Sequence, residues 1–64
     1  MRIRASQLKA GDETLKGFII AAIEQENPEM LKITYTTQIP HTDRNWEYAH
    51  TNGYAYIKDR RRMK

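Results

Sequence analysis

Between Leu31 and Ile39 every second residue is apolar or β-branched: Leu31, Ile33, Tyr35, Thr37 and Ile39 alternate with Lys32, Thr34, Thr36 and Gln38. This period of two predicts a strand with one face in the core and one in water. A second alternation runs from Tyr54 to Arg62, where Tyr54, Tyr56, Lys58, Arg60 and Arg62 would share one face of an extended ribbon. Turn signals at Ala10-Gly11-Asp12, Glu26-Asn27-Pro28-Glu29, Ile39-Pro40-His41-Thr42-Asp43 and Asn52-Gly53 divide the chain. Read as strands throughout, the chain would make an all-β fold, either a small barrel or a strongly bent antiparallel sheet of four to five strands, near residues 2–5, 15–25, 30–38, 45–50 and 54–59. Residues 1–59 are expected to form one small β-barrel domain, and residues 60–64 a basic C-terminal tail.

Asn52-Gly53 is the strongest short-range signal for a type I′ hairpin. A two-residue loop there would set Thr51 against Tyr54, Tyr48 against Ile57 and Glu47 against Lys58. Trp46, Tyr48, Ala55 and Ile57 would then line a core face, and Tyr54, Tyr56 and a Glu47–Lys58 ion pair the opposite one.

Residues 13–26 carry two patterns. Leu15, Phe18, Ile19, Ala22 and Ile23 recur at the spacing of an amphipathic helix, with Asp12 placed as an N-cap and Asn27-Pro28 as a stop. Against the helix stand Gly17, the clustered isoleucines and Ile20 on its outer face. The alternative to the all-β fold is therefore an α+β arrangement, with a helix at 13–26 packed on a three-stranded sheet. Glu24-Gln25-Glu26-Asn27-Pro28-Glu29 also reads as an acidic hairpin loop leading into Leu31.

The opening Arg4-Ala5-Ser6-Gln7-Leu8-Lys9-Ala10-Gly11-Asp12, followed by Gly17-Phe18-Ile19-Ile20 and Lys32-Ile33-Thr34-Tyr35, resembles the start of small SH3-like barrel proteins of actinobacteria and their phages. The resemblance tips the balance at residues 13–26 to the strand and so to the all-β fold: it implies a barrel plugged by Leu8, with Gly11-Asp12 turning into the first long strand. It implies little about activity, because such barrels host many functions. The phage association suggests a small accessory protein that binds and modulates a host protein.

With 64 residues the core is small, since only roughly 60% of the unfolded chain's surface is buried on folding near this length. There is no cysteine to staple it, so self-association stays open. No apolar signal core or membrane-length span follows Met1, which leads to the expectation of a soluble cytoplasmic protein without membrane partners. The net charge of +3 is uneven. Arg2, Arg4 and Lys9 make the first residues basic, five acids stand against Lys16 between residues 10 and 31, and the last seven residues hold five basic side chains beside Asp59. Basic ends raise the odds of an anionic partner.

Flat rings beside cations suit a strand that stacks bases and holds their phosphates, so Tyr54, Tyr56, Lys58, Arg60 and Arg62 are the candidate nucleic-acid-binding residues. The expected function is thus a non-enzymatic, weakly sequence-specific nucleic-acid binder. The alternative is a protein-interaction module using Tyr35, Trp46 and Tyr48. His41, Asp43 and His50 are the only conceivable metal set and lack a ligand spacing, so no metal or cofactor is expected. Ser6 is the single serine, and Glu24 and Glu26 precede a turn, leaving catalysis without a nucleophile or an acid–base pair.

Overall fold

The computed structural model describes residues 1–59, so the proposed tail at residues 60–64 lies outside the described residues. Five strands form: β1 (Arg2–Arg4), β2 (Ile20–Asn27), β3 (Met30–Tyr35), β4 (Trp46–His50) and β5 (Tyr54–Tyr56). They make two antiparallel sheets, a three-stranded one in the order β2-β3-β4 and a two-stranded ribbon of β1 and β5. The chain is all-β, and the only helical element among the described residues is one 3₁₀ turn at Ala5–Gln7.

β3 behaves as its alternation requires, with Leu31, Ile33 and Tyr35 buried and Met30, Lys32 and Thr34 half-buried. β2 occupies most of the stretch for which a helix was the alternative. Ile20 faces Tyr35, Ala22 faces Thr34 and Ile23 faces Ile33, so Ala21 is an extra residue in a β-bulge. A bulge shifts the strand's phase by one, which puts Ile20 and Ile23 on the same inward face three positions apart. The helix alternative is overturned: Ile20, which a helix would have set on its outer face, is buried in the core, while Leu15, Ile19 and Ala22 of the helical pattern are exposed.

β2 also begins at Ile20 rather than near residue 15. Residues 14–17 form a tight turn instead, in which Gly17 adopts a φ of 97° open to glycine. The turn is closed by Gly17 N–H to Thr14 O at 2.9 Å and by Phe18 N–H to the Thr14 hydroxyl at 3.1 Å. Asp12 is buried, and its carboxylate accepts from the Lys9 N–H at 3.0 Å, fixing the turn at Gly11, whose φ is 99°.

The larger correction concerns Asn52-Gly53. The chain does turn there, with Gly53 N–H donating to His50 O at 3.0 Å. But β4 and β5 do not pair. β4 runs beside β3, with Lys32 facing Tyr48 and Thr34 facing Trp46, while β5 crosses to β1. The expected core face of Trp46, Tyr48, Ala55 and Ile57 therefore splits: Ile57 is fully buried and Ala55 half-buried against the core, whereas Tyr48 is exposed. The Glu47–Lys58 ion pair is also absent; Lys58 pairs with Glu13 at 2.9 Å and Glu47 accepts from the Tyr35 hydroxyl.

The core lies between the two sheets, built from Ile20, Leu31, Ile33 and Tyr35 of the larger sheet, Ile57 after β5, and Ala5 and Leu8 after β1. Leu8, to which the family resemblance gives the role of plug, is 8% exposed. Residues 12–14 stitch the sheets together. Ile20 N–H donates to Asp12 O, Lys58 N–H to Glu13 O, and Thr14 bridges to Ile57.

Burial, then the hydrogen bond to Glu47 and that carboxylate's charge, push the Tyr35 phenol well above its ordinary range. The unfolded chain's phenol ionises near the ordinary value of about 10 while the folded one stays protonated. Stability is therefore complete below that pH and falls as pH rises above it. Chemical denaturation at stepped alkaline pH should show this loss, and Tyr35→Phe should flatten it; an equal slope in both proteins would exclude the assignment.

Candidate nucleic-acid interface

Two residues on β1 complete the surface that Tyr54 and Tyr56 begin. In the ribbon Arg2 faces Tyr56, Ile3 faces Ala55 and Arg4 faces Tyr54. Just beyond, Met1 and Ile57 exchange both hydrogen bonds, Ile57 N–H to Met1 O at 2.9 Å and the Met1 ammonium to Ile57 O at 2.7 Å. Counting from that hydrogen-bonded pair, Arg2–Tyr56 and Arg4–Tyr54 are the non-hydrogen-bonded pairs, whose Cα atoms approach to about 4.5 Å and whose side chains lie closest. Ile3 and Ala55 point into the core, so the arginines and tyrosines share the outward side.

The geometry follows from that register. The Arg2 guanidinium carbon lies 4.4 Å from the Tyr54 ring centroid and that of Arg4 4.9 Å. Such contacts contribute about 0.5–1 kcal/mol at exposed sites and hold the cations against the ring. Arg4 is further anchored by donating to Asn52 O at 3.0 Å. Among the described residues neither arginine is paired with a carboxylate, so both charges are available to an anion. Tyr54 and Tyr56 are 53% and 57% exposed, and no described cation covers the Tyr56 ring. Comparison with protein-family models, curated proteins and solved structures finds no match to this chain.

The other expected members of this face fare differently. Lys58 is half-buried and its ammonium is held by Glu13, which removes it from the row. Arg60 and Arg62 lie outside the described residues. Arg2 and Arg4 were legible as a basic alternation in Arg2-Ile3-Arg4, but nothing local says that their strand pairs with one fifty residues away.

Tyr35, Trp46 and Tyr48 do not share a surface. Tyr35 points into the core, where its ring lies 5.6 Å from that of Phe18. Trp46 and Tyr48 lie on the outward side of β4 with ring centroids 5.2 Å apart in an edge-on arrangement. Among the described residues no three of the His, Cys, Asp and Glu side chains converge as a metal site, and Ser6 is an exposed residue of the 3₁₀ turn. No helix among them is long and apolar enough to cross a membrane.

Because β4 and β5 separate after the Asn52-Gly53 turn, a groove of about 690 Å³ opens between them, lined largely by apolar side chains including Leu15, Phe18, Ile39 and Ala55. The ladder parity turns the backbone N–H and C=O groups of Tyr54 and Tyr56 away from β1, toward this open edge.

Proposed function

We propose that the protein is a non-enzymatic binder of single-stranded nucleic acid, with Arg2, Arg4, Tyr54 and Tyr56 as its contact face and little sequence preference. The observation that carries this reading is the register of β1 on β5, which sets two exposed phenol rings beside two guanidiniums that have no carboxylate partner among the described residues. Unpaired bases present faces to stack on exposed rings, whereas a duplex hides them, so the preference is for single strands. Arginines beside the rings meet the flanking phosphates, an interaction independent of sequence.

Fluorescence anisotropy with labelled single- and double-stranded oligonucleotides at several salt concentrations tests the reading. Affinity should be higher for the single strand and fall as salt rises. Replacing both arginines, Arg2→Gln with Arg4→Gln, should flatten the log–log salt dependence by about 1.4, since each phosphate contact to a single strand contributes about 0.7. No binding at low salt would remove the proposal.

The groove supports a second reading, a protein-interaction module. Free strand edges beside an apolar groove are where an extended segment of a partner, a host protein among them, can add as a further strand. Affinity purification with and without nuclease separates the two readings. Copurifying material that nuclease removes supports the first, and a defined polypeptide that survives nuclease supports the second.

A further inference from the structure

The outward face of the three-stranded sheet repeats the chemistry of the ribbon with different residues. Lys32 faces Tyr48 across the β3–β4 ladder and Thr34 faces Trp46, so these side chains stand on the side opposite to buried Leu31 and Ile33. The Lys32 ammonium lies 4.9 Å from the Trp46 ring centroid and the Arg44 guanidinium carbon 5.1 Å. Tyr48, edge-on to Trp46, is 50% exposed.

The loop that carries Arg44 is braced by its own hydrogen bonds. The Thr42 hydroxyl donates to Ile39 O at 2.9 Å and accepts from Arg44 N–H at 3.1 Å, while Ile39 N–H donates to Arg44 O at 2.8 Å. The loop before β4 is thereby closed on itself, and it delivers the guanidinium to the indole. Glu24 faces Lys32 from β2, so the patch is most positive on its Arg44 side. Lys32 and Arg44 have no carboxylate ion pair among the described residues.

We propose that Lys32, Arg44, Trp46 and Tyr48 form a second single-strand-binding face, so that one molecule holds two separate segments of nucleic acid at once. The inference rests on the single-strand reading of the ribbon. Its geometric basis is the position of the core. Ile3 and Ala55 point inward from the ribbon, Leu31 and Ile33 inward from the sheet, and both sets pack in one cluster. The two cation–aromatic faces therefore look away from each other across sheets that stack about 10 Å apart. A short strand lying on one face does not reach the other, and a second segment has a face of its own.

The test uses the full chain and two non-complementary oligothymidylates, one carrying a donor dye and one an acceptor. With wild-type protein, energy transfer should rise as protein approaches the oligonucleotide concentration and fall again in excess, when each strand finds its own molecule. Lys32→Gln with Arg44→Gln, which leaves both rings packed, should cut the transfer by about fivefold or more at moderate salt, while anisotropy still reports binding through the ribbon. Adding Tyr48→Ala should abolish the transfer. Removing the ribbon arginines instead should also lose transfer but retain binding to the sheet face.

Wild-type protein that binds each oligonucleotide yet gives no transfer would overturn the second face and leave the ribbon reading standing. So would transfer that persists in the Lys32→Gln, Arg44→Gln, Tyr48→Ala protein, because bridging would then come from paired copies each using its ribbon. Absence of all binding by wild type would instead remove both proposals.

Discussion

In the Lys32→Gln, Arg44→Gln, Tyr48→Ala protein, where only the ribbon is left to bind, replacing Tyr54 and Tyr56 together by alanine should weaken single-strand binding by about 30-fold or more, because base–aromatic stacking contributes about 1–3 kcal/mol per base. The two rings are more than half exposed and neither belongs to the buried core, so their loss leaves the folding contacts of β5 in place. β5 is held by its ladder to β1 and by the buried Ile57 that follows it. The paired change Tyr54→Phe with Tyr56→Phe keeps the stacking surfaces and should retain affinity within about threefold. Anisotropy with a labelled single strand measures both, and thermal denaturation of each variant verifies the fold. Equal affinity with and without the two alanines in that background would show that the rings do not meet bases.

The largest effect on stability should come from Ile57→Ala. Truncating a fully buried isoleucine costs about 2–5 kcal/mol. A domain of this length holds about 3–10 kcal/mol in total. Ile57 is 0% exposed and stands where three segments meet. Its N–H and C=O bond Met1, its backbone bridges Thr14, and its side chain sits in the core shared by both sheets. Urea denaturation should show a large drop in midpoint or an already unfolded population, with Ile57→Val losing only about 0.5–1.5 kcal/mol. A midpoint unchanged in Ile57→Ala would mean that the sheets do not depend on this contact. Because the ribbon is held at this position, nucleic-acid affinity should fall with the folded fraction, unlike the tyrosine variants, which stay folded.

The misreadings trace to particular residues. The helical spacing of Leu15, Phe18, Ile19, Ala22 and Ile23 set Ile20 outside, whereas the bulge at Ala21 in the β2–β3 ladder puts Ile20 and Ile23 on the same inward face. Asn52-Gly53 signals a reversal, and a reversal does occur, but the strands on either side find other partners. One wrong pairing then misplaced Trp46 and Tyr48 in the core and matched Lys58 with Glu47 in place of Glu13. The outward setting of Tyr54 and Tyr56 survives this error because alternation within β5 depends only on Ala55 and Ile57 facing in.

Local chemistry was enough to determine the alternating faces of β3 and β5 and the turns at Gly11-Asp12 and Asn52-Gly53, since each depends on neighbours a few residues apart, but it left the all-β class open against a helix at 13–26. Only the tertiary structure decided that Arg2 and Arg4 stand beside Tyr54 and Tyr56, and that Lys32 and Arg44 flank Trp46. Strand pairing is chosen by which arrangement closes the core between distant segments, and that choice is made by packing summed over the whole chain rather than by any single stretch of it.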